Sequence, residues 1–280
     1  MSRIDACFKA LEQQQKKALV PYFVAGDPDL DLTLKLMHEL VTAGVDIIEL
    51  GVPFSDPMAE GPTIQLAHER ALLNNVSLTD TLNLVAKFRE TNSETPVVLM
   101  GYANPVEVMG YQAFAEKAQQ VGLDGVLIVD LPPEEAVALK QALTAVAIDI
   151  ICLIAPTTSE ARIKKIVDVA TGYLYYVSLK GVTGSGALDI HSVKQQVALI
   201  ESHTDLPICV GFGIKDADSC QKIAELAYGA VVGSALVDRI AHAKNEQQAI
   251  SEAVSFTQGL RQAMDLSLIH ISEPTRRHLI

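Results

Sequence analysis

Apolar residues fall along the chain in short, dense runs: LVPYFVAG from Leu19, IIELGVP from Ile47, VVLMGY from Val97 and GVLIVDL from Gly125. Four more follow: DIICLIAP from Asp149, YLYYVSL from Tyr173, PICVGFGI from Pro207 and GAVVGSAL from Gly229. Most are apolar at consecutive positions, the pattern of parallel strands covered on both faces. The stretches between them, such as LTLKLMHELVTAG, YQAFAEKAQQVG and ARIKKIVDVATG, read as helices. Several close on a glycine, as a helix C-terminus favours.

Eight strands alternating with helices leave two architectures, an open doubly wound sheet or a closed barrel. The strand starts are spaced by 22 to 34 residues at every step but one. That regularity, in a chain near the usual barrel size of about 250 residues, predicts a (β/α)8 TIM barrel. The exception is the 50-residue step from Ile47 to Val97, an enlarged second βα connection. Ahead of the first strand, MSRIDACFKALEQQQKK predicts a short amphipathic helix with Ile4, Phe8 and Leu11 on one face.

Composition narrows the class. Of 280 residues, 49% are hydrophobic, ample for a large core, and the net charge of −12 argues against nucleic acid and anionic membranes as partners. No run of eighteen apolar residues and no signal-peptide pattern is present, so the expectation is a cytoplasmic protein. Four scattered cysteines, Cys7, Cys152, Cys209 and Cys220, lack metal-ligand spacing, as do the seven histidines. No metal site is expected.

Chemistry concentrates where the second strand ends. ELGVPFSDPMAEGP, residues 49–62, packs three carboxylates, three prolines and two glycines into fourteen residues. In a (β/α)8 barrel the active site lies at the C-terminal strand ends. Glu49 would stand at that end, either paired with a buried base or acting in catalysis, and Glu60 in the loop beyond. Late in the chain GVTGSG (181–186), GFG (211–213) and GSA (233–235) close three consecutive strands. Glycines that let backbone N–H groups approach an anion, with Ser234 opening a helix, suit a phosphorylated ligand. Lys180 is the only basic residue in these clusters, leaving amides and a helix dipole to hold the phosphate.

The run ELGVPFSDPMAEGPTIQ, with YFVAGDP before it and GYANPV, GVLIVDLP, LKGVTGSG, VGFGI and VGSALV after it, closely resembles the tryptophan synthase α subunit over about residues 1–264. The resemblance implies a lyase that cleaves indole-3-glycerol phosphate to indole and glyceraldehyde 3-phosphate. It assigns proton shuttling to Glu49 and stabilisation of the ring nitrogen to Glu60. The family carries aspartate at the second position, in PLADGP, where this chain has PMAEGP. The extra methylene keeps the charge and adds about an ångström of reach; against a rigidly packed indole that costs about 1–2 kcal/mol, about five- to thirtyfold in rate. The resemblance places Tyr22, Tyr102, Leu127, Ile154, Tyr175 and Phe212 around the indole, with Thr183 on a lid. Phosphate contacts fall on Gly184, Gly213, Gly233 and Ser234. Asp130, before Leu-Pro-Pro, reads as a turn cap and stays outside this set.

The resemblance further implies an α2β2 assembly with a β subunit that holds pyridoxal phosphate, so that this chain needs no cofactor. Pro53, Phe54, Asp56, Asn104, Pro105, Val106 and Pro132 would form the docking rim, with Pro53, Pro105 and Val106 expected to be exposed. The domain is expected to span 1–264. Beyond Met264 the chain reads DLSLIHISEPTRRHLI. LSLIHISEPTR looks like a translated transposase adapter from a sequencing library, so 265–280 is expected to be a disordered, non-native tail. The alternative is a divergent native end.

Overall fold

In the computed structural model, which describes residues 1–178, 190–211 and 213–271, each apolar run becomes one strand of a closed parallel barrel in the order β1 to β8. The strands are β1 (Ala18–Val24), β2 (Ile48–Gly51), β3 (Val97–Gly101) and β4 (Gly125–Ile128). They continue as β5 (Asp149–Ile154), β6 (Leu174–Val177), β7 (Ile208–Gly211) and β8 (Gly229–Val232). The TIM barrel read from the sequence is the observed architecture.

Among the described residues, twelve helices surround the barrel: α1 (Arg3–Gln13), α2 (Leu30–Thr42), α3 (Pro62–Leu73), α4 (Leu78–Arg89), α5 (Ala103–Met109) and α6 (Tyr111–Gln120). The others are α7 (Val137–Ala145), α8 (Glu160–Val169), α9 (Ile190–Glu201), α10 (Ala217–Ala224), α11 (Ser234–His242) and α12 (Glu246–Ile271). The long second connection holds two helices, α3 and α4, which accounts for its 50-residue step.

Local chemistry sets the boundaries. Ser2 with Asp5 and Ser77 with Asp80 form reciprocal capping boxes at α1 and α4. Pro62 opens α3, where its missing N–H costs nothing. Gly110, at φ +86°, turns the chain between α5 and α6.

Register decides which side chains meet inside the barrel, because directly paired residues share a face. Tyr22 pairs with Glu49 and Glu49 with Val98. Met100 pairs with Leu127 and Leu127 with Ile151. Leu153 pairs with Tyr175. The opposite faces pack on the helices: Ile154 joins Ile163 and Ile166 of α8 in the outer layer.

The N-terminal end of the barrel is plugged by α1. Ile4 is fully buried, and a Cβ at Gly125 would lie 3.1 Å from its Cδ1 and 2.6 Å from that of Ile151. Asp124 anchors the plug through Arg3 at 2.8 Å and Arg89 at 2.5 Å, and it accepts the Val97 N–H at 2.8 Å. At the other end of the chain α12 packs across α10, α11 and α2. It passes Met264 without a break and runs to Ile271, so the backbone is helical for seven residues beyond the expected domain end. Asp265 pairs with Arg261 at 2.5 Å, and Arg261 also reaches Asp46 at 3.1 Å.

Candidate active site

Glu49 is the second residue of β2 and is fully buried inside the barrel. No arginine or lysine pairs with it among the described residues. The Tyr173 hydroxyl donates to its Oε1 at 2.5 Å, while Oε2 has no hydrogen-bond partner among the described residues. Burial pushes the carboxyl up to about 8, against the lowering effect of Tyr173, and Glu60 adds to the rise. Tyr173 itself rests on Phe8 of α1, ring centroids 6.0 Å apart. One oxygen of Glu49 is thus fixed from below, and the other is unpaired among the described residues.

Glu60 reaches the same space from the β2–α3 loop. Its backbone carbonyl accepts from Gln65 at 2.9 Å, and its N–H donates to Pro57 O at 3.0 Å. Burial raises this carboxyl to about 7. Glu49, fully buried, and Glu60, half-buried and lining both lobes of the mouth, are two acids that change charge close to neutrality, a pairing that suits proton transfer and charge stabilisation.

The barrel mouth has two lobes that share Glu60, Met100 and Tyr175. One, a cavity of about 590 Å³, is walled mainly by apolar groups, among them Val129, Leu153 and Val177. The other, about 480 Å³, is lined by Tyr22, Gly213, Gly233 and Ser234, and by Lys215 and Arg239. Gly213 has φ +80°, a conformation that glycine adopts without strain, and Ser234 opens α11 behind Gly233. The site offers a flat apolar ligand a slot and an anion a helix N-terminus beside it.

The sequence-derived residues distribute as follows. Tyr22 and Tyr175 line the cavities; a Cβ at Gly211 would fall 2.1 Å from the Tyr175 hydroxyl, so this glycine makes room for that ring. Tyr102 stands behind the wall, where its hydroxyl accepts the Ala59 N–H at 3.2 Å. Leu127 shares the inward face with Met100 and Ile151 but is itself fully covered. Ile154 is a correction: it faces α8, and its neighbour Leu153 faces the cavity, because alternate strand residues point to opposite sides. Thr183, Gly184 and Phe212 lie outside the described residues. Asp130 accepts the Ala103 N–H at 2.8 Å, so it caps α5 from the neighbouring loop.

The rim also departs from expectation. Pro53 and Val106 are buried, Val106 against Phe114 and Val126; Phe54, Pro105 and Pro132 are half-buried, and Asn104 and Asp56 are exposed. The apolar side chains that face solvent there are Met58, 77% exposed, and Val108, 83% exposed. The sequence reading also missed Lys215 and Arg239, which supply the second lobe with positive charge. Lys215 follows GFGI directly, and Arg239 sits five residues after Ser234, holding Ala235 O at 2.6 Å and stacking on Phe256 at 3.8 Å. No cluster of metal-ligating side chains occurs among the described residues.

A closed (β/α)8 barrel with one buried and one half-buried carboxylate near the mouth, and a glycine-lined lobe at a helix N-terminus beside an apolar slot, has the layout of an enzyme suited to acid–base chemistry. The chain belongs to the tryptophan synthase alpha chain family, whose profile matches residues 8–265. It is 56% identical over 266 residues to the tryptophan synthase alpha chain of Thioalkalivibrio sulfidiphilus, covering 95% of this chain and all of that one. The Cupriavidus taiwanensis alpha chain is 54% identical over 265 residues, with the same coverage. Among solved structures, subunit alpha from Legionella pneumophila superposes with a TM-score of 0.88 at 44% identity, covering 95% of this chain and 99% of that one. A chain of tryptophan synthase from Mycobacterium tuberculosis, in its aminoacrylate-bound form, gives 0.84 at 31% identity, covering 94% and 100%.

Proposed function

We propose that the chain carries out the α reaction of tryptophan synthase, the retro-aldol cleavage of indole-3-glycerol phosphate to indole and glyceraldehyde 3-phosphate. Breaking the bond directly would leave a carbanion on the indole ring. Protonation of ring carbon three first turns the ring into an electron sink, with positive charge shared by its nitrogen. Removal of the side-chain hydroxyl proton then drives the electron pair of the C–C bond into that ring. Indole leaves, and the hydroxyl carbon becomes the aldehyde.

The observation that carries this reading is the Oε2 of buried Glu49, unpaired among the described residues, on a carboxyl pushed up to about 8. A carboxyl still protonated at neutral pH gives its proton to the ring and afterwards takes the hydroxyl proton back. Glu60, ionised, stabilises the positive ring nitrogen. The indole occupies the apolar lobe, and the phosphate meets Gly213, Gly233, Ser234 and the α11 N-terminus, with Lys215 and Arg239 nearby.

The chain works in the tryptophan synthase complex with a β subunit, as an α2β2 assembly in the cytoplasm. Pyridoxal phosphate belongs to the β partner, and indole passes to it. No helix of the described residues is long and apolar enough to cross a membrane. Residues 265–280 are an adapter-derived tail that the reaction does not use.

The test is indole release from indole-3-glycerol phosphate with a β subunit present, for chains ending at Met264. Glu49→Gln abolishes turnover if this assignment holds. Glu60→Asp reports whether the longer carboxylate is tuned to this pocket. Absent turnover in the parent, with β activation intact, would make the chain a docking partner instead.

A further inference from the structure

His68 is 1% exposed, and the reaction derived above does not use it. It lies on the inner face of α3 with Ile64 and Ala71, eight residues after Glu60. Its Nδ1 accepts the backbone N–H of Phe54 at 3.1 Å, and its Nε2 lies 3.4 Å from the Tyr22 hydroxyl. The first contact fixes the tautomer. A ring nitrogen that accepts from a backbone N–H carries no proton, so the neutral imidazole holds its proton on Nε2. Burial lowers this group to about 4, which keeps the ring neutral. Nε2–H therefore donates to Tyr22, and the phenol keeps its own proton for another acceptor.

That proton belongs to the substrate pocket. Tyr22 is 5% exposed, pairs in register with Glu49, and lines the lobe that holds Glu60 and Ser234. Its hydroxyl lies over the end of β2, where a Cβ at Gly51 would come within 2.5 Å. Phe54, whose backbone holds His68, also stacks its ring on Tyr102 at 4.8 Å. Tyr102 in turn accepts from Ala59, the residue before Glu60. A single loop residue therefore braces both the Tyr22 side and the Glu60 side of the pocket.

We propose that His68 is a positioning residue: anchored by the docking loop at Phe54, it fixes the Tyr22 phenol as a hydrogen-bond donor beside Glu60. The acceptor is an oxygen, either of the Glu60 carboxylate or of a substrate hydroxyl. The inference rests on the lyase reading. It differs from a merely satisfied buried histidine in requiring His68 to act through Tyr22.

The experiment is a double-mutant cycle on indole release by the complex with the β subunit, using His68→Leu, Tyr22→Phe and the double variant. Each single change lowers kcat/KM about three- to tenfold, the worth of one hydrogen bond, and the double variant is no worse than His68→Leu. His68→Gln, whose amide nitrogen reaches the Nε2 position and donates to Tyr22, restores part of the loss. For Tyr22→Phe, a raised KM identifies the substrate as acceptor, and a lowered kcat at constant KM identifies Glu60. Additive losses, or parent activity in folded His68→Leu, would overturn the proposal. Nitrogen-15 NMR of the unsubstituted chain reads the tautomer independently of activity and of variant folding. A protonated Nε2 with bare Nδ1 supports the proposal, and an Nδ1–H tautomer overturns it. If the parent releases no indole, the lyase reading fails, and the tautomer still decides the geometry.

Discussion

Glu49 and Glu60 are both carboxyls that burial holds protonated well above the ordinary range, to about 8 and about 7. The proposed chemistry needs the first protonated at the outset and the second ionised. Turnover therefore falls as pH rises through about 8 and as it drops through about 7, giving a narrow bell in kcat/KM. Because Glu60 raises Glu49, the two limbs are properties of the pair. Glu49→Gln removes a further liability. A carboxyl whose folded pKa exceeds its unfolded value binds more protons folded than unfolded between the two. Stability then declines with pH across that window, from 4.5 to about 8, by up to about 1.4 kcal/mol per unit. Urea unfolding at pH 5 and pH 8 is expected to show Glu49→Gln gaining on the parent at the higher pH. Glu49 was legible as a candidate because a carboxylate closing an apolar strand has no structural need to be there, whereas Glu60, in the loop beyond, was singled out by the family resemblance. Ile154 was not: DIICLIAP is apolar on both faces, so nothing in its composition tells which residues of the strand look inward. Pairing of Leu153 with Tyr175 decides it.

At the scale of elements, the barrel was readable because eight runs of consecutive apolar residues at even spacing leave few other ways to bury both strand faces. What tied the elements together was not readable, since each tie joins residues distant in sequence. Asp124 is 3% exposed at its side chain and receives Arg89, 10% exposed, and Arg3, 37% exposed. Arg89→Ala leaves the carboxylate with only the more exposed of its two cations, removes the Arg89 donor from the Thr95 carbonyl, and leaves the Gly122 carbonyl with the longer contact from Arg3 at 3.5 Å. The expected cost is about 3 kcal/mol in urea unfolding, near the lower end for breaking a buried ion pair. Gly211 is a second tie. It belongs to the GFG cluster that suggested a phosphate site, and its missing side chain leaves space for the Tyr175 hydroxyl. Gly211→Ala displaces that ring from the wall shared by both lobes. We expect kcat/KM for indole-3-glycerol phosphate to fall by at least tenfold, with little change in secondary structure by circular dichroism.

For the whole molecule, the barrel ends divide the work: α1 and Asp124 close the N-terminal end, while the loops after β2 and β3 carry the candidate carboxylate Glu60 and the rim. Rim residues are hard to read from a sequence because a loop's exposure depends on the neighbouring loop it packs against. Val106 looked like an exposed apolar side chain and instead fills a space beside Phe114 and Val126, while Val108, two residues on, points to solvent. Large apolar side chains left open at 77% and 83%, on the face that also holds the active site, gain by being covered when a partner docks. Met58→Asp and Val108→Asp are each expected to weaken β-subunit binding by about tenfold or more in isothermal titration, since a charge would enter a buried patch. Leu73→Asp supplies the control: Leu73 is 82% exposed at the far end of α3, away from the strand C-termini, and its substitution leaves the affinity unchanged. Equal losses at all three positions would mean that added negative charge on a chain already at −12, and not the rim, governs association. Loss confined to Met58 and Val108 would place the β subunit over the same loop that positions Glu60, so that docking and catalysis share one piece of structure.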